Sequence, residues 1–474
     1  MKKQILFYLC FFILLSICFR YGATQTKIEG TWIGVAEVMG QKLDMRVHFK
    51  IEEGELKAFI DFPQQGVMGM TLKEVLYEHP KISFQLETPA AVAFFEGVVE
   101  AGKISGEFKQ SGIKGRFHLT PGKEEEEEPE PSEPLSYDEE EVTFKNGDIK
   151  LSGTLTLPKK GGRHPAIVMI TGSGPQNRDE ELFGWKIFRD IADHLTRNGI
   201  AVLRYDDRGV GGSSGNVFEA TSEDFANDVL AAVQFLRARS DINPNQVGLC
   251  GHSEGGLVAP LSASKSKDVA FIICISGTGI IGKEILLTQM ELIARADGTP
   301  EQEVRRYIEE VKAGLELIKK GQNKDKVASV LMSIASKQLE SMTEEQKKDI
   351  EDVDVYLKNQ AEGMYKQFSS AWFEFFLEYD PAPTLEKVAC PVLLLFGELD
   401  LQVPAEMNNK AMVKALRKGG NKDFTAKIFP KANHLFQNAK TGSPSKYAKL
   451  PKEFVPGFLD YITDWIKKRV DIVI

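Results

Sequence analysis

The chain has 474 residues and a formal net charge of −9, with 42% hydrophobic and 27% charged residues. This composition excludes a disordered or fibrous protein, and the acidic balance argues against a nucleic-acid partner. The length is sufficient for two domains plus an insertion. Residues 124–141 carry ten Glu and one Asp but no Lys or Arg, so the rest of the chain has a small positive excess.

The N-terminal residues have the pattern of an export signal. Two lysines precede an uncharged apolar run at residues 5–19, and small residues follow it. The run is shorter than the ~20 apolar residues that a membrane span requires. We therefore expect residues 1–24 to be a signal peptide and the protein to be secreted or periplasmic. Lipid attachment at Cys18 is the less favoured alternative, and it would be the only membrane anchor.

Short stretches of alternating apolar and polar residues fill residues 25–122, which predicts about eight strands. These are Trp32–Val38, Leu43–Ile51, Leu56–Phe62, Thr71–Tyr77, Lys81–Leu86, Val92–Val99, Lys103–Phe108 and Ile113–Leu119. We expect an antiparallel β-barrel or sandwich domain, and we favour a structural or docking role over ligand binding. Residues 123–140, rich in Glu and Pro, predict an extended linker, which offers few contacts to hold the two halves together, so the β domain should be separable.

The periodicity changes at residues 141–474. Asn146-Gly147 predicts a β-hairpin, and apolar β-rich runs then alternate with amphipathic helical stretches. The predicted strands are 165–171, 201–205, 247–251, 271–276, 391–397 and 425–429, and the predicted helices lie near 185–198, 222–238, 254–264, 405–418 and 453–468. Strands that are apolar on both sides indicate a parallel sheet covered by helices, which is an α/β fold.

One long stretch interrupts this alternation. Between about 278 and 380 the apolar spacing is helical, and we expect a helical cap over the ends of the strands. An acidic cluster at 349–354 adjoins Lys347 and Lys348, which is typical of a solvated helix face.

The segment Gly251-His252-Ser253-Glu254-Gly255 joins a predicted strand directly to a predicted helix. Gly-x-Ser-x-Gly at such a junction places the serine in a sharp turn, with its hydroxyl exposed at the head of the helix. A serine attacks a carbonyl only when a base takes its proton. Among the seven histidines, His434 follows the last predicted strand, at the sheet edge where α/β sites assemble. We therefore predict Ser253 as the nucleophile and His434 as the base.

The base needs a carboxylate to orient it, and in this type of site the acid lies between serine and histidine in the chain. Asp400 and Glu398 both follow the strand at 391–397, and we prefer Asp400 because it comes after the turn. For the oxyanion hole we predict the backbone amides of Glu254 and of Ser173, in a glycine-rich loop.

Arg178 and Asp179, later in that loop, either contact substrate or form a loop-bracing ion pair, and we favour the ion pair.

Five motifs together resemble the bacterial α/β-hydrolases of the esterase and serine-aminopeptidase-like superfamily. They are Gly172-Ser173-Gly174-Pro175, Tyr205-Asp206-Asp207-Arg208-Gly209, Gly251-His252-Ser253-Glu254-Gly255-Gly256, Gly397-Glu398-Leu399-Asp400 and Asn433-His434-Leu435-Phe436. The resemblance covers about residues 140–470. It implies an α/β-hydrolase fold with a helical cap, carboxylesterase activity, and Ser253, Asp400 and His434 as the catalytic triad.

Three functions remain open at this point. The first is a serine hydrolase that cleaves small-molecule carboxylic esters through an acyl-enzyme, and the order Ser, Asp, His favours it. The second is a peptidase for short peptides, and the third is a ligand-binding protein with a non-catalytic hydrolase scaffold. We expect no cofactor and no metal. The sequence predicts neither the oligomeric state nor the acyl and alcohol groups of the substrate.

Overall fold

The computed structural model describes residues 28–52, 54–63, 67–88, 91–122, 135–319 and 324–472. The predicted signal peptide, with Cys18, lies outside these residues, as does most of the predicted linker. Within the described ranges, no helix is both long and apolar enough to cross a membrane.

Nine antiparallel strands form the N-terminal sheet. They are β1 (Gly30–Val38), β2 (Gln41–Glu52), β3 (Glu55–Phe62), β4 (Val67–Thr71), β5 (Lys73–Glu78), β6 (Lys81–Glu87), β7 (Val92–Glu100), β8 (Lys103–Gln110) and β9 (Ile113–Pro121). Their order is β4-β3-β2-β1-β9-β8-β7-β6-β5, and the sheet curls into a nearly closed barrel. Alternate side chains such as Val47, Phe84 and Phe117 are buried inside it. The predicted antiparallel, barrel-like domain is confirmed.

The strand predicted at 71–77 is divided between β4 and β5 in the structure. The chain turns at Leu72, whose amide donates to the carbonyl oxygen of Ala58 at 2.9 Å. Glu74 has a positive φ of 50°, and the pairing of β5 with β6 shifts register beside it. This corner carries the chain from one edge of the sheet to the other, and period-two alternation alone does not reveal it.

Eight strands form the C-terminal sheet, and a separate hairpin, β13 (Glu181–Leu182) with β14 (Trp185–Lys186), precedes its first helix. The eight are β10 (Tyr137–Asn146), β11 (Ile149–Pro158), β12 (His164–Ile170), β15 (Ala201–Tyr205), β16 (Ile242–His252), β17 (Ile272–Ile275), β18 (Val392–Gly397) and β19 (Phe424–Phe429). The order is β10-β11-β15-β12-β16-β17-β18-β19, antiparallel through β15 and parallel from there to β19. Every residue of β12 and β18 is buried, as the continuous apolar runs predict.

Helices cover both faces of this sheet and form the insertion. They are α1 (Ile187–Arg197), α2 (Ser222–Arg237), α3 (Gly255–Lys265), α4 (Gly282–Ala296), α5 (Glu301–Lys319), α6 (Lys324–Ser341), α7 (Glu344–Lys347), α8 (Val353–Phe368), α9 (Ala371–Glu378), α10 (Ala382–Leu385), α11 (Ala405–Lys418) and α12 (Phe458–Lys467). One face packs against α2, α3 and α11, and the other against α1 and α12. Helices α4 to α9 lie between β17 and β18 and have an apolar core of their own. The α/β-hydrolase fold with a helical cap is confirmed.

The barrel packs directly against loops of the hydrolase domain. Met70 of β4 forms a β-bridge with Val210, and the amide of Phe183 donates to the carbonyl oxygen of Pro63 at 3.0 Å. Phe218, which precedes α2, packs against the barrel core. These contacts count against the predicted separability of the barrel, because the linker composition says nothing about the surfaces on either side of it.

The barrel also contacts the cap, through the acidic cluster at 349–354. The amide of Lys114 donates to the carbonyl oxygen of Asp349 at 2.9 Å, and the amide of Glu351 donates to that of Gly112 at 3.2 Å. The half-buried carboxylate of Asp349 accepts a hydrogen bond from the amide of Met39. The predicted solvated face therefore holds only for the exposed members of the cluster.

We expect Gly69→Ala to weaken the docking of the barrel against the hydrolase loop at residues 210–211. Gly69 has φ +64°, and a Cβ there would lie 2.8 Å from the backbone nitrogen of Gly211 across the interface. The control is Gly102→Ala, at φ +73° with no atom within 4 Å of the added Cβ. In both variants an alanine must adopt a left-handed backbone conformation, which destabilises the fold by about 1–2 kcal/mol. Only Gly69→Ala also introduces a steric overlap.

Thermal unfolding followed by circular dichroism should therefore show a larger fall in midpoint temperature for Gly69→Ala than for Gly102→Ala. Equal falls would contradict the close approach of the two backbones.

Candidate active site

Ser253 lies in a strained turn between β16 and α3. Its φ is +55°, a conformation that side-chain-bearing residues adopt mainly where the surrounding structure imposes it. Two glycines permit the turn, because a Cβ on Gly251 would lie 2.0 Å from the carbonyl oxygen of Gly255, and one on Gly255 would lie 2.1 Å from that of Ile170. The amide of Ser253 donates a hydrogen bond to the carbonyl oxygen of Ile275 at 2.8 Å. The glycines of the motif are thus required by close packing.

His434 is held in a tight turn after β19. The side-chain oxygen of Asn433 accepts hydrogen bonds from the amides of Leu435 and Gln437, at 3.0 and 2.9 Å. The imidazole is buried, and its Nδ1 lies 2.8 Å from Oδ2 of Asp400. This contact fixes the ring and leaves Nε2 as the nitrogen that can act as a base.

The two candidate acids have different environments. Asp400 is 3% exposed, and its Oδ1 accepts the amide hydrogens of Gln402 and Val403, each at 2.9 Å. Glu398 is exposed and accepts from the amide of Lys431 at 2.8 Å, which braces the loop. The geometry favours Asp400 as the partner of the histidine.

A cavity of about 480 Å³ brings most of the predicted residues together. Ser253, His434, Ser173 and Glu254 all line it, beneath cap side chains that include Trp372. Asp400 lies behind His434. The catalytic roles stay predictions, but the cavity and the histidine–aspartate contact have the form that acyl transfer requires.

Three amides of the loop after β12, those of Gly172, Gln176 and Arg178, donate hydrogen bonds to carboxylates. The amide of Gly172 donates to Oε1 of Glu180 at 2.8 Å, and that of Gln176 donates to Oδ2 of Asp207 at 2.9 Å. Burial raises the pKa of Asp207 well above its usual range, against the opposing hydrogen bonds from Thr171 and Gln176. Gly172 is therefore a poor candidate for the oxyanion donor, which leaves Ser173 as the prediction for this loop.

Arg178 and Asp179 brace this loop but do not pair with each other. The guanidinium of Arg178 binds Asp206 and Glu141, with shortest contacts of 2.8 and 2.6 Å, and Asp179 pairs with Arg204. The predicted bracing role is confirmed, and the predicted pairing is wrong.

Sequence reasoning missed the pair formed by His252 and Glu180. His252 Nδ1 lies 2.9 Å from Oε1 of Glu180, and Nε2 lies 3.0 Å from the carbonyl oxygen of His434. Both nitrogens thus face acceptors, which a doubly protonated ring satisfies. Burial lowers the pKa of His252, but the charge and hydrogen bond of Glu180 outweigh it and raise the pKa overall. The sequence signal was weak, because Glu180 lies 72 residues before His252.

The side chain of Glu254 was also missed, because only its amide was considered. Its Oε1 accepts from the hydroxyl of Ser222 at 2.6 Å and from Nε1 of Trp372 at 2.8 Å. Burial raises the pKa of Glu254, although hydrogen bonds from Ser222, Trp372 and Ser173 act in the opposite direction. The residue after the serine therefore ties the cap to the turn.

Metal binding has no support within the described part of the chain, where no group of three or more His, Cys, Asp or Glu is arranged to hold an ion. Cys250 and Cys274 are buried free thiols and Cys390 is half-buried, so the described cysteines form no disulfide.

Comparisons with known proteins find similarity to hydrolases. Residues 185–440 match the family Hydrolase_4, described as serine aminopeptidase, S33. Esterase EstD of Thermotoga maritima is 28% identical over 349 residues, which cover 73% of this chain and 70% of EstD. The thiohydrolase aneE of Aspergillus aculeatus is 34% identical over 145 residues, 30% of this chain and 42% of aneE. Among solved structures, an esterase of Pyrococcus furiosus has a TM-score of 0.43 at 16% identity and covers 71% of this chain and 93% of its own.

The choice between the two acids can be tested by substitution. Asp400→Asn should lower kcat by about 10⁴, because the amide no longer holds the imidazole in the required tautomer. Glu398→Gln, the matched exposed control, should change kcat by no more than about threefold. Steady-state kinetics on a 4-nitrophenyl ester measures both. A greater loss in Glu398→Gln would show that the acid is misassigned.

Proposed function

The chain belongs to the serine aminopeptidase S33 family of hydrolases, and we propose that it cleaves carboxylic esters through an acyl-enzyme on Ser253. The proposal is carried by one arrangement: His434 and Ser253 line the same cavity. His434 Nδ1 lies 2.8 Å from Oδ2 of Asp400, and Ser253 has a φ of +55°. The similarity to an esterase over most of the chain supports the choice of an ester substrate.

The proposed reaction has two steps. In the first, His434 takes the proton of the Ser253 hydroxyl while the serine oxygen attacks the ester carbonyl. The same proton then goes to the departing alcohol. In the second, His434 takes a proton from water, which attacks the acyl carbon, and then gives that proton to the departing oxygen of Ser253, which releases the carboxylic acid and regenerates the serine. Asp400 orients the imidazole and stabilises its charged form. The amides of Glu254 and Ser173 are the proposed donors to the oxyanion.

The acidic side chains that line the cavity are Glu180 and Glu254. Their environments favour esters over peptides with a free amino terminus as substrates. An ammonium group requires an available carboxylate. The charge of Glu180 faces His252 at 2.9 Å, and burial shifts Glu254 toward its neutral form by raising its pKa. The acidic cluster at 349–354 contacts the barrel and contributes no residue to the cavity. Peptide cleavage is therefore the less favoured alternative.

A non-catalytic scaffold is the least favoured alternative. A binding protein has no need of a strained serine, a buried histidine–aspartate contact and a cavity that joins them, since strain of this kind costs about 1–3 kcal/mol.

We also propose that the protein is secreted or periplasmic. The support is the sequence of residues 1–24, in which basic residues precede an uncharged apolar run and small residues.

Matched substrates test the proposed activity. The value of kcat/KM for a 4-nitrophenyl acetate should exceed that for an aminoacyl 4-nitroanilide by at least about a hundredfold, because the amide nitrogen must be protonated as it leaves. Ser253→Ala should lower ester turnover by about 10⁶. A fluorophosphonate should label Ser253, as located by peptide mass mapping.

Higher kcat/KM on the anilide, lost in Ser253→Ala, would replace the esterase proposal with a peptidase. A label on a different serine would refute the assignment of the nucleophile.

A further inference from the structure

A cavity of about 600 Å³ lies at the interior of the barrel, within the size range of small-molecule sites. Its walls come from the barrel, from the loop after β12, from residues around the start of α2 and from the cap. The barrel side chains that line it are Ala36, Val38, Met39, Leu43, Phe62, Val67, Met70, Leu86, Thr88, Ala93, Phe95, Phe108, Gln110 and Ile113.

The cavity is apolar and firmly built. Among the described residues that line it, none carries a charge, and the barrel contributes only two polar side chains, Thr88 and Gln110. Phe95 stacks on Phe84 at 4.9 Å and on Phe108 at 5.1 Å between ring centroids, which fixes one wall. A space of this kind favours an uncharged, apolar occupant.

This cavity adjoins the active-site cavity. Three residues line both cavities: Ser173 of the predicted oxyanion loop, Gln367 of α8 and Trp372 of α9. The indole of Trp372 is held by its 2.8 Å hydrogen bond to Glu254 and by stacking on Phe376 at 5.3 Å. The two cavities thus meet at side chains that line the same cavity as Ser253.

Hydrolase residues line the same cavity at its boundary with the barrel. Pro175, Val217 and Phe225 contribute to its wall beside Trp372, and Phe218 also packs against the barrel core. The wall of the barrel cavity is therefore built jointly by the barrel and the hydrolase domain.

We propose that the barrel cavity binds the long unbranched apolar chain of the ester substrate while the ester bond lies at Ser253. This inference rests on the proposed esterase function and assigns its substrate class. Burying one methylene contributes about a fourfold increase in kcat/KM. Binding energy gained at a distance from the reacting bond can promote its cleavage.

The first test uses chain length. At concentrations below micelle formation, the ratio of kcat/KM for 4-nitrophenyl decanoate to that for 4-nitrophenyl acetate should be at least about tenfold in the wild type. A parallel series of alkyl acetates, up to decyl acetate, distinguishes a chain on the acyl side from one on the alcohol side. A rise with length in either series supports the proposal.

Two substitutions on β7 locate the effect. Ala93→Phe adds a ring to the cavity wall, since Ala93 is buried and lines the cavity, and it should lower the long-to-short ratio by at least about tenfold. Glu96→Phe adds the same ring at an exposed position of the strand and should leave the ratio within about twofold of the wild type.

A binding measurement covers the case in which Ala93→Phe does not fold. The full-length Ser253→Ala variant should bind dansyl-labelled undecanoic acid with a rise and blue shift in fluorescence, and decanoic acid should displace it while acetate should not. No binding would overturn the proposal. So would a flat ratio in both ester series, or an unchanged ratio in folded Ala93→Phe.

Different results would refute the esterase proposal and the proposal for the barrel cavity. Loss of activity on every ester, including the acetate, would refute the esterase function itself. Hydrolysis of the acetate without any length dependence would refute only the role of the barrel.

Discussion

The strained backbone at Ser253 is the constraint around which the catalytic half is organised. Holding a non-glycine residue at φ +55° costs about 1–2 kcal/mol, so the surrounding structure must impose it. That structure consists of the fully buried central strands and of glycines whose missing side chains let α3 approach β12 and β16. The same parallel sheet brings β18 and β19 alongside, and their C-terminal ends position Asp400 and His434.

Buried acidic side chains connect this centre to the rest of the molecule. Glu180 joins the loop after β12 to His252, through contacts of 2.8 and 2.9 Å. Glu254 joins the serine turn to Trp372 of the cap. Because Trp372 also lines the barrel cavity, the hydrogen bond of one buried carboxylate fixes the boundary between the two cavities. The barrel cavity and the active-site cavity thus share part of their walls.

Much of the fold could be predicted from the sequence because the relevant signals are local. Alternation of period two gave the barrel strands, and the alternation of apolar strands with amphipathic helices gave the sheet and its insertion. The strand-to-helix glycine motif located Ser253, and position after a strand located Asp400 and His434. Each of these depends on neighbouring residues or on chain order alone.

The contacts that could not be predicted are tertiary. Glu180 and His252 are far apart in sequence, and nothing near Met70 or Gly69 indicates that β4 meets the loop at 210–211. The charged linker even suggested separable halves, since its composition describes the connection and not the surfaces it joins. Arg178 and Asp179 were expected to pair because they are adjacent, yet each finds a better-placed partner on another element.

The most direct test of a substrate site shared by the two domains is a crystal structure of the protein inactivated by a decyl 4-nitrophenyl phosphonate. We expect phosphorus bonded to the oxygen of Ser253, with the decyl chain passing Trp372 into the barrel between Ala93 and Phe95. A chain that lies under the cap helices or in solvent, with the barrel cavity empty, would contradict it.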